Sequence, residues 1–491
     1  MASFNKLLGQ AFEAYDTGRN DEAEAICRKL VSLAPKDGQA VFLLGMILRK
    51  GPRKEEAAEW LKRAATLQPR SPEVFNGLGS AYNDLHDHPH AAECFARAIQ
   101  INPRYADAHY NMGNTCQRMR EYEKALTFYH QALQFNPMDH EAWTNLGKIH
   151  KELNQVEQAM AVYDRALQIQ PGFALAHWNR AIILLLSGRL QEGFREYEWR
   201  WCLSDPIFVP RQYPQLLWGG EPIREQTLFI HAEQGFGDAI QFVRYVRRAR
   251  QWAARVILEC PPPLKSLFEE AGCADTVIAL GEIPPPFDCY IPLMSLPRLF
   301  QTTLETIPGA VPYLVAPTCQ NLPQAPAGHL KVGLTWAGNA THDDDSARSI
   351  RLEELTSVLE TPGVTFFSLQ VPMPPRDEPL VCSLPNLVNL ADHLKDFRHT
   401  AAVIGQMDLV LTVDTAVAHL AGALRKPTWT FIQHSPDWRW LLGRSDSPWY
   451  PTMRLFRQPD RGHWLPAIQL AAAELRRLLP ADNCSNRMEA Q

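Results

Sequence analysis

Proline returns every 34 residues in the first part of this chain, at Pro35, Pro69, Pro103, Pro137 and Pro171. Few folds permit such a beat. A unit of that length holds two short helices and cannot bury a core alone, so successive units must stack to share one. Other columns keep the same offset. Small residues recur as Gly45, Gly79, Gly113 and Gly147, as Ala57, Ala91, Ala125 and Ala159, and as Ala64, Ala98, Ala132 and Ala166, beside a bulky set Leu61, Phe95, Tyr129 and Tyr163. Small residues let paired helices approach, the large side chain fills the remaining gap, and proline stops the second helix.

This period is the tetratricopeptide signature. Five repeats fit, and a sixth begins near Phe173 and decays into "GFREYEWRW", as expected of a repeat that seals a stack. Asparagine occupies one position on the first helix of three successive repeats, Asn111, Asn145 and Asn179. In a row on the concave surface, such amides offer donor and acceptor to the backbone of an extended peptide. The row resembles the asparagine ladder of O-GlcNAc transferases. Asparagine is also common there in tetratricopeptide repeats generally, so docking of some partner protein is the broader expectation.

The pattern stops near Asp205. "LSDPIFVPRQYPQLLWGGEP" reads as a linker, and beyond it short β-rich runs alternate with helical patterns: "TLFIH", "RVILE", "DCYIPL", "VGLTWAG", "VTFFSLQ", "LVNL", "DLVLTV" and "TWTFI". Such alternation argues for parallel sheets covered by helices. A proline-rich stretch, residues 316–330, separates the first three runs from the rest and reads as a hinge between two Rossmann-like halves that enclose a cleft. The expected organisation is a solenoid over 1–204, a linker over 205–224, a first half over 225–320, a second over 321–480, and a disordered tail over 481–491.

Bulk properties narrow the class. Hydrophobic residues make up 46% and charged residues 21% of 491, an ordinary globular balance. With a net charge of −5 and mixed signs, the chain has no basic field for a phosphate backbone, so nucleic acid is not an expected partner. The ten cysteines are isolated, with no pair at metal-ligand spacing, and read as reduced thiols. No leader peptide is evident, and "AIILLL" is too short to span a bilayer, so a cytosolic protein without an integral membrane segment is expected.

Two segments carry chemistry. In "TLFIHAEQGFGDAIQFVRYV" a strand, a turn and a helix follow one another; Gly235 and Gly237 are read as allowing backbone geometry that a side chain would forbid, and Asp238 sits at the carboxyl end of the strand. Asp238 has two readings, a helix cap or a carboxylate facing the cleft. Gln234 either positions an acceptor or sugar or fixes the turn. No third glycine completes G-x-G-x-x-G, and no P-loop is present. In "DLVLTVDTAVAHLAGALRKP" a strand ends at Val413, and Asp414 and Thr415 open a helix carrying His419. Amides at such a start attract phosphate oxygens, the Thr415 hydroxyl adds a donor, and His419 could reach a diphosphate or sugar. A capping Asp414 and a packed His419 are the plain alternatives.

In their order, "GFGDAIQFVRYV", "VGLTWAGNATHDDDSARSIRLEEL" and "VDTAVAHLAGALRKPT" resemble the Gly-Asp turn, donor loop and donor-site motif of the heptosyltransferase family, glycosyltransferase family 9, over roughly residues 225–460. With the array, the chain resembles bacterial tetratricopeptide glycosyltransferases, including flagellin-modifying ones. The resemblance implies a GT-B fold, with acceptor on the first half and nucleotide sugar on the second. It also implies Asp238 as general base, inversion at the anomeric carbon, and a leaving phosphate met by Arg348, Thr415 and His419 without a metal. Two departures, the array itself and Arg348 where the family usually has lysine, set lipid A core as acceptor and ADP-heptose as donor in question. Asp343, Asp344 and Asp345 read as a solvated loop rather than a metal-binding D-x-D. The aromatics of "HSPDWRWLLGRSDSPWYP" read as core packing rather than a stacking platform, and the arginines of "RYVRRARQWAAR" as a solvated helix face. No cofactor is expected; the nucleotide sugar is a substrate. Competing readings are an adaptor with an inactive transferase domain and an enzyme whose acceptor is a glycan or lipid.

Overall fold

A computed structural model describes residues 2–204, 208–318, 322–341 and 345–479. Asp343 and Asp344, the tail over 481–491 and the first residues of the expected linker lie outside the described residues. The chain divides into two compact units, Met1–Arg180 and Ala181–Gln491.

The first unit is a stack of helix pairs: Ala2–Asp16 with Asn20–Leu33, Gly38–Lys50 with Lys54–Leu67, Pro72–Asp84 with His88–Ile101, Ala106–Arg118 with Tyr122–Phe135, and His140–Glu152 with Val156–Ile169. Helix Ala174–Leu186 straddles the division. The glycine and bulky columns pack against each other. A methyl on Gly45 would lie 2.6 Å from Leu61 Cγ, on Gly79 2.7 Å from Phe95 Cε1, and on Gly113 2.8 Å from Tyr129 Cδ1. Glycine is therefore required by the approach of the partner side chain. Leu61, Phe95, Tyr129 and Tyr163 are buried, as are the alanines of both columns. Two first helices start on aspartate caps: Asp37 accepts from the Ala40 amide at 2.9 Å and Asp139 from the Ala142 amide at 2.9 Å.

The second unit contains two sheets with parallel pairing throughout. The first runs β1 (Leu216–Leu217), β5 (Cys289–Pro292), β2 (Ile223–His231), β3 (Ala253–Cys260), β4 (Thr276–Ala279) in spatial order. The second runs β11 (Met453–Arg457), β10 (Thr428–Ile432), β9 (Leu409–Val413), β6 (Leu330–Thr335), β7 (Val364–Ser368), β8 (Leu387–Asn389). Every residue of β7, β9 and β10 is buried, which explains why these strands read as unbroken apolar runs: helices cover both faces. The eight runs read from the sequence all contain strands. β1, β4 and β11 were not foreseen, and β1 lies inside the stretch read as linker.

Candidate functional site

Both sheets reverse their winding beside a central strand. In the first, β2, β3 and β4 march outward and β5 returns on the other side of β2. In the second, β6, β7 and β8 march one way and β9, β10 and β11 the other. At each reversal the loops leaving neighbouring strands diverge and open a crevice at the carboxyl ends. The turn and helix after β2 carry Gln234, Gly235, Gly237 and Asp238; the segments after β6 and β9 carry Arg348 and Asp414–His419. Both motifs singled out from the sequence thus stand where this topology makes room for ligands.

The turn after β2 leads into helix Phe236–Phe242. Gly235 has φ −70 and ψ 174, angles open to any residue, and Gly237 is helical, so neither glycine is there for unusual dihedrals and that expectation is corrected. What Gly237 requires is space: a methyl there would lie 2.9 Å from His419 Cδ2 and 3.8 Å from Ala416 Cα. The first half therefore meets the second, backbone against ring, one residue from Asp238. Asp238 Oδ2 accepts from the Gly235 amide at 2.9 Å, and Oδ1 receives Arg439 Nη2. Burial pushes the Asp238 carboxyl above its ordinary value, a rise that Arg439 opposes and Asp437 reinforces. Asp238 is at once the brace of its own turn and a carboxylate at the junction of the halves.

Helix Ala416–Ala423 begins after Thr415, whose hydroxyl lies 3.2 Å from that of Thr412. His419 is buried, stacks on Trp440 with centroids 5.3 Å apart, and places Nδ1 2.9 Å from the Tyr450 hydroxyl. Burial, helped by Arg439 and Arg244, holds its ring down to about 3, so His419 is neutral and can offer a dipole but no charge. Asp414 is pushed up to about 6 by burial and by Asp437, with Arg348 and Arg439 drawing it back. Arg348 lies 3.5 Å from Asp345 Oδ1 and beneath Gly338, where a methyl would meet its Nε at 2.7 Å. Three of the four donor-side candidates, Arg348, Asp414 and His419, together with Asp238 thus act on one another or on a shared neighbour, Arg439.

Arg439 escaped the sequence reading, hidden in a segment noticed for its aromatics. Its Nε donates to Gln241 Oε1 at 2.8 Å and its Nη1 to Asp437 Oδ1 at 2.8 Å, besides the bond to Asp238. Trp438, Trp440, Trp449 and Tyr450 are fully buried and form core, as read. Arg247, Arg250 and Arg255 are exposed, as expected of a solvated arginine face, but Arg244 departs from that expectation. It is buried, donating to Gln241 O and Trp449 O at 2.8 Å each and to the Tyr313 hydroxyl at 3.0 Å, with its guanidinium 4.8 Å from the Tyr450 ring centroid. Helical spacing marks which arginines share a face, but only the partner elements decide whether that face is wet.

Gln234 donates to the Tyr197 hydroxyl at 2.9 Å. Beside it Glu233 takes both arms of Arg200 at 2.8 and 3.0 Å, and Arg200 also reaches Glu198 and Ser295 at 2.8 Å each. "EYEWRW", read as the fading end of the array, is therefore folded into the second unit and braces the turn of Asp238. Buried charges such as Arg200 require partners distant in sequence, here Glu233 and Ser295, which no local pattern reveals.

In the first unit Asn111 Nδ2 donates to Asn76 Oδ1 at 2.9 Å, and Asn145 Nδ2 to the Tyr110 hydroxyl and Asn114 Oδ1 at 3.0 Å each. These amides bridge successive first helices. Asn179 Nδ2 is buried with no hydrogen-bond partner.

Comparison with known proteins follows the same division. Tetratricopeptide repeat models match residues 8–72, 79–119, 106–139 and 147–188. The Glycosyltransferase family 9 (heptosyltransferase) model matches residues 353–447, a span that takes in Asp414–His419 and Arg439 and leaves Asp238 and Arg348 outside. Protein FlbA of Caulobacter vibrioides (strain ATCC 19089 / CIP 103742 / CB 15) is 28% identical over 337 residues, covering 62% of this chain; the chain spans 55% of the length of that relative. Among solved structures, MamA is 25% identical over 33% of this chain and 94% of its own, with a TM-score of 0.31. YrrB, described as a TPR protein with an unusual peptide-binding site, is 20% identical over 35% and 88%, with a TM-score of 0.30. No helix among the described residues is long and apolar enough to cross a membrane. The chain thus joins an array matched by tetratricopeptide-repeat models to a C-terminal segment, residues 353–447, that matches the Glycosyltransferase family 9 (heptosyltransferase) model.

Proposed function

We propose that this chain is an inverting, metal-independent glycosyltransferase of GT-B architecture that moves a sugar from a nucleotide-sugar donor to a hydroxyl of a protein acceptor recruited by the tetratricopeptide array. The observation that carries the reading is the meeting of the Asp238 turn with the donor-motif helix, where Gly237 leaves only enough room for the His419 ring. A carboxylate raised by burial is suited to take a proton from a hydroxyl as that oxygen attacks the anomeric carbon. The bond from that carbon to the nucleotide phosphate breaks as the new one forms, and one displacement inverts the centre. Arg348 and the amides at Thr415–Val417 supply the positive and dipolar field for the departing nucleotide phosphate. In this reading the acceptor is flagellin or another surface protein, glycosylated in the bacterial cytoplasm before export.

One observation favours the adaptor reading: both Asp238 oxygens are bonded inside the protein, to the Gly235 amide and to Arg439. Release of free nucleotide from UDP-, GDP-, ADP- and CMP-sugars by the purified chain decides between them. Loss of release in Asp238→Asn, with nucleotide binding retained, supports transfer chemistry; absence of both release and binding in the native chain leaves the adaptor. Flagellin of intact mass unchanged between native and Asp238→Asn cells would set the flagellin acceptor aside.

A further inference from the structure

Arg439 joins the base of the first half to the Asp437 loop of the second by hydrogen bonds. All three of its nitrogens are used. Nη2 serves Asp238, Nε serves Gln241 from the next turn of the same helix, and Nη1 serves Asp437 from its own loop. The guanidinium lies 4.3 Å from the Trp438 ring centroid, which fixes its plane. A lysine would present its donors from a single nitrogen, whereas a planar fork meets three divergent partners at once.

We propose that Arg439 is a positioning residue for the transfer reaction: anchored by Asp437 and Gln241, its guanidinium holds the Asp238 carboxylate ionised and aimed across the junction of the two halves. This rests on the functional reading above. The charged and titratable groups facing Asp238 explain why such a holder is needed. Asp437 repels it, Tyr197 from the segment before the first sheet is close enough to sense its charge, and the His419 ring across the junction is neutral. Beyond Asp437 stands Asp414, itself shared between Arg348 and Arg439. Without Arg439, burial and Asp437 would both favour the protonated acid, which cannot accept a proton. Asp437 in turn acts oppositely: it keeps Arg439 in place and raises Asp238, tuning the base upward.

The test is a signed pair of substitutions in the full-length chain. The pH profile of nucleotide release from the same four donor sugars is compared for native protein, Arg439→Gln, Arg439→Lys and Asp437→Asn. Arg439→Gln moves the acid limb upward by about 1–3 pH units, the usual effect of one close opposite charge. Asp437→Asn moves it downward, and Arg439→Lys falls between native and Arg439→Gln. A purely structural role would lower all rates without shifting the limb in opposite directions, and that result overturns the proposal. The second measurement needs no donor: Tm against pH for Arg439→Gln and for Arg439→Gln combined with Asp238→Asn. The single variant loses Tm as pH rises through a window that the double variant lacks; superimposable curves overturn the proposal. If no donor is turned over by the native chain, the transferase reading fails, while the Tm curves still decide whether Arg439 governs Asp238. Should Arg439→Gln not fold, the downward shift in Asp437→Asn is decisive alone, and its absence is refuting.

Discussion

Replacing Gly237 with alanine sets two effects of opposite sign against each other. Gly237 is helical, and in a solvent-facing helix glycine to alanine stabilises by about 1 kcal/mol. Here the added methyl would sit 2.9 Å from His419 Cδ2 and 3.4 Å from its Nε2. The ring cannot retreat easily, because it lies against Trp440 and is tied to the Tyr450 hydroxyl at 2.9 Å. Overpacking of such a site costs about 1–3 kcal/mol, which outweighs the gain in helix propensity. Gly237→Ala is therefore expected to be neutral to destabilising by about 2 kcal/mol, the difference of those two terms. Denaturant unfolding of the full chain, followed at the transition of the second unit, reads this directly. Combining it with His419→Ala removes the clash, so the double-mutant cycle shows coupling of more than about 0.5 kcal/mol, the limit expected of independent sites. Clear stabilisation by Gly237→Ala, or strict additivity with His419→Ala, would refute the close meeting of the two halves.

Arg200→Met leaves Glu233, whose side chain is 5% exposed, without its main partner, and is expected to cost about 3–5 kcal/mol in urea unfolding; the added change Glu233→Leu recovers much of it. Gly113→Ala drives a methyl to 2.8 Å from the Tyr129 ring, so the array loses about 1–3 kcal/mol, and Tyr129→Leu relieves it. His419, held at about 3 when folded against an ordinary value of 6.5, binds its proton more readily when unfolded. Its contribution is present above the unfolded value and is lost as pH falls toward the folded one, at up to about 1.4 kcal/mol per unit, so His419→Gln flattens the acid side of the stability curve.

The array was legible because its constraint is repetitive: a glycine that must admit Tyr129 at one position recurs 34 residues away for Phe95. The buried strands were legible because wholly apolar runs such as "LVLTV" have no other home. Short edge strands were missed for the converse reason, since Leu216–Leu217 is exposed at both residues and defined only by its partner β5. At the site, Asp238, Asp414 and His419 could be found from glycines and strand ends. Arg439, Arg244 and Arg200 could not, because a buried guanidinium is explained by carboxylates and carbonyls far away in sequence: Asp238 for Arg439, Trp449 O for Arg244, Glu233 for Arg200. Gly235 and Gly237 show a related limit. For Gly237 the cause lies in a contact from the other half rather than in backbone angles, whereas at Gly235 an added methyl would meet only Asp238 of its own turn, at 3.4 Å.

The most direct test of transfer chemistry at the junction of the two halves is single-turnover release of nucleotide from a bound donor, measured for the native chain and for Asp238→Asn at equal donor occupancy. Loss of a general base is expected to slow release by about 10²- to 10⁴-fold with donor affinity little changed. Equal rates in the two proteins would contradict the account.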